Sequence, residues 1–256
     1  LLLILTFFAH LVFMNAMLGR AAIALIREML AQPADPPPCQ DIAGKLPYTI
    51  AFAVNFGVAP LLFLQVLYGH FIYTSSILMG AYWLSIIGLL ILAYYSAYLY
   101  KMAIDLPAPA RKRALATSLL LLLTIAFLFV NNITLMQNPQ VWGAYFHRPD
   151  GTFLNLADPT LLPRYLHFVV ASLATGGLFL AILAFFQQKK GAPGAAKRLS
   201  AGMQWFTYAT VVEIGTGIPF LFSLPKTVQQ MFIGTAPLHT ALFLASLVAA
   251  CCCIYY

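Results

Sequence analysis

The sequence predicts an all-α integral membrane protein with about seven transmembrane helices, and three observations carry that expectation. Of 256 residues, 62% are apolar or aromatic and only 8% are charged, against about 25% charged in a soluble domain. Mean hydropathy is +0.86. The apolar residues also fall into runs of the roughly 20 residues that a bilayer-spanning helix needs, too long and evenly apolar for strands. A water-soluble enzyme is excluded by this composition. The net charge of +7 sits in particular loops, which reads as membrane topology and not as a nucleic-acid footprint; no nucleic-acid partner is expected.

The runs cover about 1–30, 48–73, 76–103, 113–137, 162–188, 199–224 and 236–256. Together they are expected to form one transmembrane bundle over residues 1–256. The sizeable loop at about 138–161 is rich in Asn, Pro, Asp and aromatics, as expected of a folded cap on the outer membrane surface. Trp142, Tyr145 and Phe146 form its interfacial belt. Arg27, Lys45, Lys101, Arg111, Lys112, Arg113, Lys189, Lys190, Lys197 and Arg198 fall on one side; Arg148, Arg164 and Lys226 fall on the other. Positive residues face the cytoplasm, so the N-terminus is placed outside and the C-terminus inside, in a multi-pass protein surrounded by lipid. Cys39 stands alone in a loop, and Cys251, Cys252 and Cys253 read as small filler in a helix. No CxxC or CxxCH is present, so neither a zinc ribbon nor covalently attached haem is expected. The chain opens on Leu1 without Met and stops inside an apolar run, the pattern expected of trimmed or incompletely traced ends.

An internal duplication is expected, relating helices 1–3 to helices 5–7. His10 and Gly19 recur as His167 and Gly176; Val54 to Gly57 before Pro60 recur as Val212 to Gly215 before Pro219. Phe71 to Thr74 recur as Phe232 to Thr235. Three matches in order at a nearly constant offset suggest related halves, which are common in membrane proteins.

Histidine is the most informative polar residue. His10 falls in the outer half of its span, His70, His167 and His239 at the outer ends of theirs, and His147 lies in the cap. Each alone reads as an interfacial side chain bonded to a carbonyl, but four at one depth point to function, because ionisable groups are costly in the bilayer. Pairs of neutral imidazoles on facing apolar helices suit haem iron. Zinc would want carboxylate or thiolate company, and a proton relay would want several acids where only Glu213 lies deep in a span. Arg20 and Glu213 each need a partner or water. A quinone head group between them is the secondary cofactor expectation, carried by no motif.

Met136-Gln137-Asn138-Pro139, the stretch Asn155 to Pro159, and His167-Phe168-Val169-Val170-Ala171-Ser172 resemble the fourth-to-fifth-helix region of subunit I of the cytochrome bd quinol oxidases. Leu5 to His10 resemble that family's first helix. The resemblance covers spans 1 to 6 and is most specific over Met136–Gly176. It implies a b-type haem on His167, with His239 where the family has a methionine ligand, and a second haem on His10, for which Met79 by family position and His70 by depth are the candidate closing ligands. Met79 falls near the family's third-helix glutamate ligand and reads equally as packing. The family's long loop after helix 6, its third-helix glutamates and its later glutamate-bearing helix are missing. The expected function is therefore a membrane electron-transfer subunit of a respiratory complex with one or two haems b, not a catalytic oxidase. It would exchange electrons with a periplasmic c-type cytochrome beside the other subunits of that complex. A haem at His10 is expected to be six-coordinate and closed to carbon monoxide. The alternatives are a divergent quinol-dependent oxidase or reductase and a haem-free membrane anchor.

Overall fold

The computed structural model describes residues 1–30, 44–102 and 107–255; Cys39 lies outside them. Among these residues there is no strand. The long helices are α1 (Leu2–Leu30), α2 (Leu46–Leu78), α3 (Gly80–Met102), α4 (Ala108–Gln137), α5 (Leu161–Lys189), α6 (Ala195–Ser223) and α7 (Pro237–Tyr255). All but α6 are long and apolar enough to cross a membrane. The protein is thus an all-α, multi-pass membrane protein. Helix α6 has the length, 29 residues, but Lys197, Arg198, Gln204 and Glu213 dilute its apolar character. Prolines mark the entries, as expected where a missing N–H removes no helix bond: Pro47 opens α2 and Pro107 precedes α4. Cys251, Cys252 and Cys253 lie exposed on α7 as free thiols.

The helices fall into two compact units, residues 1–156 and 157–256. In the first, α1 lays Ala16, Gly19, Ala21 and Ala24 into its buried face. Small residues there let neighbouring backbones approach closely, the usual source of helix association in lipid. Phe13 of α1 stacks on Phe56 of α2 at 4.4 Å and on Phe52 at 5.6 Å. Ala93 and Ala97 of α3 are buried, and Ser118 of α4 donates to the Ala93 carbonyl at 3.0 Å.

Helix α2 runs to Leu78, beyond the end at about 73 expected from sequence, with a kink at Tyr68 (φ −131°, ψ 31°). The cap loop explains why the chain turns so late. Gly151 accepts the Ala81 N–H at 3.0 Å, and Phe153 donates its N–H to the Leu78 carbonyl at 3.0 Å. Backbone groups freed at the α2–α3 joint are therefore satisfied by a distant segment. Gly151 has φ +70°, and a Cβ there would lie 3.0 Å from Ala81 N, so the strap needs glycine twice over. Beside it, the exposed Asp150 carboxylate accepts from Thr152 N–H and hydroxyl, which hold its pKa below the usual carboxylate range. Below the strap, Leu78, Met79, Leu128 and Leu135 form an apolar cluster with Trp142, Phe153 and Leu154. Asn131 and Asn155 tie the loop to α4, the Asn155 N–H donating to Asn131 Oδ1 at 3.2 Å.

In the second unit, α5 and α6 cross at glycines. A Cβ on Gly202 would lie 2.6 Å from Ala181 N, and one on Gly177 would lie 2.6 Å from Phe206 N. A short helical turn (Lys226–Gln230) and a wide turn (Met231–Thr235) follow α6 and lead to α7, which buries no residue. Because the α5–α6 crossing has no room for a side chain, Gly202→Val should lower stability by about 1–3 kcal/mol. Thermal unfolding in detergent, followed by circular dichroism, checks this. Gly88→Ala, whose Cβ would meet open space, should leave the melting temperature unchanged or higher.

Candidate functional site

Two of the five histidines are built into helix–helix contacts, one in each unit. His10 of α1 is half-buried, and its Nδ1 lies 2.9 Å from the Ala53 carbonyl oxygen on α2. A carbonyl can only accept, so Nδ1 carries the proton and Nε2 presents a bare lone pair. One turn further along α2, Gly57 lies against the ring: a Cβ there would be 2.9 Å from Cε1.

His167 of α5 sits in a matching seat on α6. Its Nδ1 is 3.3 Å from Thr216 Oγ1, and the Thr216 hydroxyl itself donates to the Glu213 carbonyl at 3.1 Å. With that hydroxyl proton committed, Thr216 Oγ1 is left to accept from Nδ1–H. Such a bond gives His167 the same tautomer as His10, with Nε2 unprotonated. Gly217 lies under its ring, the built Cβ 3.4 Å from Cε1. In both units, then, an oxygen of the next helix meets Nδ1 of one histidine and a glycine lies beside the ring: the Ala53 carbonyl with Gly57, and the Thr216 hydroxyl with Gly217.

The surroundings differ. Phe220 packs tilted on the His167 ring at 5.7 Å, and the Arg164 guanidinium lies 5.4 Å over Phe220. The Glu213 carboxylate is 4.0 Å from His167 Nε2, both side chains about 30% exposed. Ala53 holds the corresponding place in the first unit and brings no charge. Glu213 thus stands beside His167, while the buried Arg20 belongs to the first unit.

The remaining histidines are placed less tightly. His70 is exposed on α2 just past the Tyr68 kink, edge-on to Phe71 at 5.6 Å and to Trp142 at 5.5 Å. His239 is exposed near the start of α7, and His147 is exposed at the end of the helical turn Pro139–Phe146. Met79 is fully buried at the α2–α3 joint, inside the apolar cluster. Among the described residues, no three His, Cys, Asp or Glu side chains gather as a metal-holding group.

One polar cluster escaped the sequence reading. Glu28, at the end of α1, is 1% exposed; it accepts a short hydrogen bond from the buried Tyr100 hydroxyl of α3 and faces Arg111 of α4 at 3.4 Å. It lies 18 residues from His10, five full turns on, so both occupy one face of α1. That spacing was the available signal.

The chain matches no family model, no curated protein and no solved structure. Any functional reading therefore rests on the chemistry of these residues.

Two outcomes test the site geometry. In 15N-histidine spectra of the protein free of any bound group, His10 and His167 should both show protonated Nδ1 and unprotonated Nε2, and Thr216→Val should remove that signature from His167 alone. Tyr100→Phe should lower stability by about 1–3 kcal/mol, since it strips a buried carboxylate of its neutral donor; detergent melts read this directly.

Proposed function

We propose that the protein is a membrane-embedded b-type haem electron-transfer subunit of a respiratory complex in a bacterial inner membrane. The observation carrying this reading is the pair of seats just described. Each holds a neutral imidazole in lipid by its Nδ1–H and leaves the Nε2 lone pair for a metal, the arrangement that orients histidine ligands in metal sites. Haem b, when bound, supplies the one-electron chemistry.

His167 with His239, both of the second unit, would hold one such group; His10 would hold another with His70 or Met79, all three of the first unit. The exposed His70 is the more available partner, because Met79 is enclosed by apolar side chains. At His167, the Glu213 carboxylate must swing away from Nε2 to admit a metal. The residues of α5 and α6 would fix the ring, exclude water through Phe220, and set the charge beside it. A periplasmic c-type cytochrome would be the electron-exchange partner, and other subunits of the complex would cover the exposed helices.

The finer topology belongs to the same proposal: seven spans including α6, with the N-terminus periplasmic. The Glu28–Tyr100–Arg111 contacts and the bond between Lys101 and Tyr48 gather Arg27, Lys101 and Arg111 to Arg113 at one end of the first unit, in keeping with a cytoplasmic face there. The twin seats support the duplication, in a register that pairs Gly57 with Gly217. The likeness to cytochrome bd subunit I stays a proposal on the residues quoted for it.

Glu213 beside His167 favours one second reading, a divergent quinol-dependent oxidase or reductase in which that carboxylate carries a proton. Spectra of the purified protein decide between them. The expected result is a b-type pyridine haemochrome and low-spin α-bands in the reduced protein, without carbon monoxide binding. His167→Ala should abolish one low-spin species and His10→Ala the other. Rapid carbon monoxide binding with quinol-driven oxygen uptake would favour the enzyme, and absence of haem would leave a membrane anchor.

A further inference from the structure

The two seats are alike in pattern and unequal in tightness. On α2, Ile50, Ala53 and Pro60 are buried, and Gly57 lies on that same stripe at helical spacing. A Cβ built on Gly57 would lie 2.9 Å from His10 Cε1, 3.0 Å from Nδ1 and 3.7 Å from Nε2. Carbon atoms rest at about 3.5–4.0 Å, so the edge of the ring occupies the space an alanine methyl would need. On α6, a Cβ on Gly217 would lie 3.4 Å from His167 Cε1 and 3.7 Å from Nδ1, which is ordinary contact.

We infer that Gly57 is the positioning residue of the His10 centre, and that Gly217 has no such role at His167. The inference deepens the haem reading and rests on it for its functional consequence; the ring geometry stands without it. Two constraints set the His10 imidazole: the Ala53 carbonyl holding Nδ1–H, and the bare backbone at Gly57 against which the Nδ1–Cε1 edge lies. A methyl at 57 pushes on that edge. The ring can yield only by rotating away from Ala53, which breaks the bond that fixes its tautomer, or by prising α1 from α2. The stack of Phe13 on Phe56 at 4.4 Å, one residue before Gly57, opposes the second route. Rotation redirects Nε2, and changes in groups that orient a ligand commonly cost 10–100-fold in metal affinity.

The experiment compares Gly57→Ala with Gly217→Ala in the full chain, with and without haem. In 15N-histidine spectra of the haem-free protein, Gly57→Ala should remove the Nδ1–H signature of His10 and leave that of His167. Gly217→Ala should change neither. In the haem-loaded protein, Gly57→Ala should lower haem retention at the His10 centre by about tenfold or more and shift its low-spin spectrum, while Gly217→Ala retains both centres. An unchanged His10 signature in Gly57→Ala, or an equal disturbance of His167 by Gly217→Ala, overturns the inference. If the native protein takes up no haem, the functional reading fails, yet the tautomer comparison still decides the role of Gly57. Should Gly57→Ala misfold, the double variant His10→Ala with Gly57→Ala should fold, because the ring alone fills that space. A double variant that also misfolds assigns Gly57 to helix packing and refutes the inference.

Discussion

The polar contacts of this structure answer to one constraint: inside hydrocarbon, a polar group finds its partner within the protein. The histidine seats are its sharpest expression. An imidazole has one nitrogen that donates and one that accepts, and Ala53 and Thr216 consume only the donor. The same constraint explains why hydroxyls along the helices turn back onto carbonyls three or four residues earlier, as at Thr49, Ser75, Thr175 and Thr210. It also explains why Glu28 is embraced by both a phenol and a guanidinium.

Close approach is the second theme, and it follows from the first. Backbone carbonyls can serve as partners only where no side chain intervenes, and lipid gives helices little hydrophobic reason to pack. Gly57, Gly177, Gly202 and Gly217 therefore stand where helices meet, and alanines fill the rest of the α1 and α3 contacts. What is held tightly is a small fraction of each helix. The outward faces of α3 and α7 stay apolar and exposed, as contact with lipid requires.

Much of this was legible in the sequence. Long apolar runs define the helices almost by themselves, and the depth of His10 and His167 in their spans marked them as unusual. Depth alone ranked His70 and His239 equally, because periodicity reports position along a helix and says little about which neighbour a side chain meets. The end of α2 was misplaced because hydrogen bonds from Gly151 and Phe153 decide it, and nothing local in residues 73–79 announces them. For the proposed duplication, sequence sets Gly57 against Gly215, while the glycines that lie against the rings are Gly57 and Gly217; small residues are too frequent for sequence alone to choose a register. Glu28 was overlooked since a charge near a span end normally reads as loop.

The strap from the cap loop also orders the protein's assembly. The α2–α3 hairpin emerges from the ribosome well before Gly151 and Phe153, so its joint enters the membrane with the Leu78 carbonyl and the Ala81 N–H still unclaimed by those residues. Only after α4 has been made can the loop fold back and seal it. The first unit thus matures by a closing step late in its chain, and a nascent chain halted within α4 holds a hairpin whose turn depends on water or headgroups. Biogenesis of this unit is complete only when translation has passed Phe153.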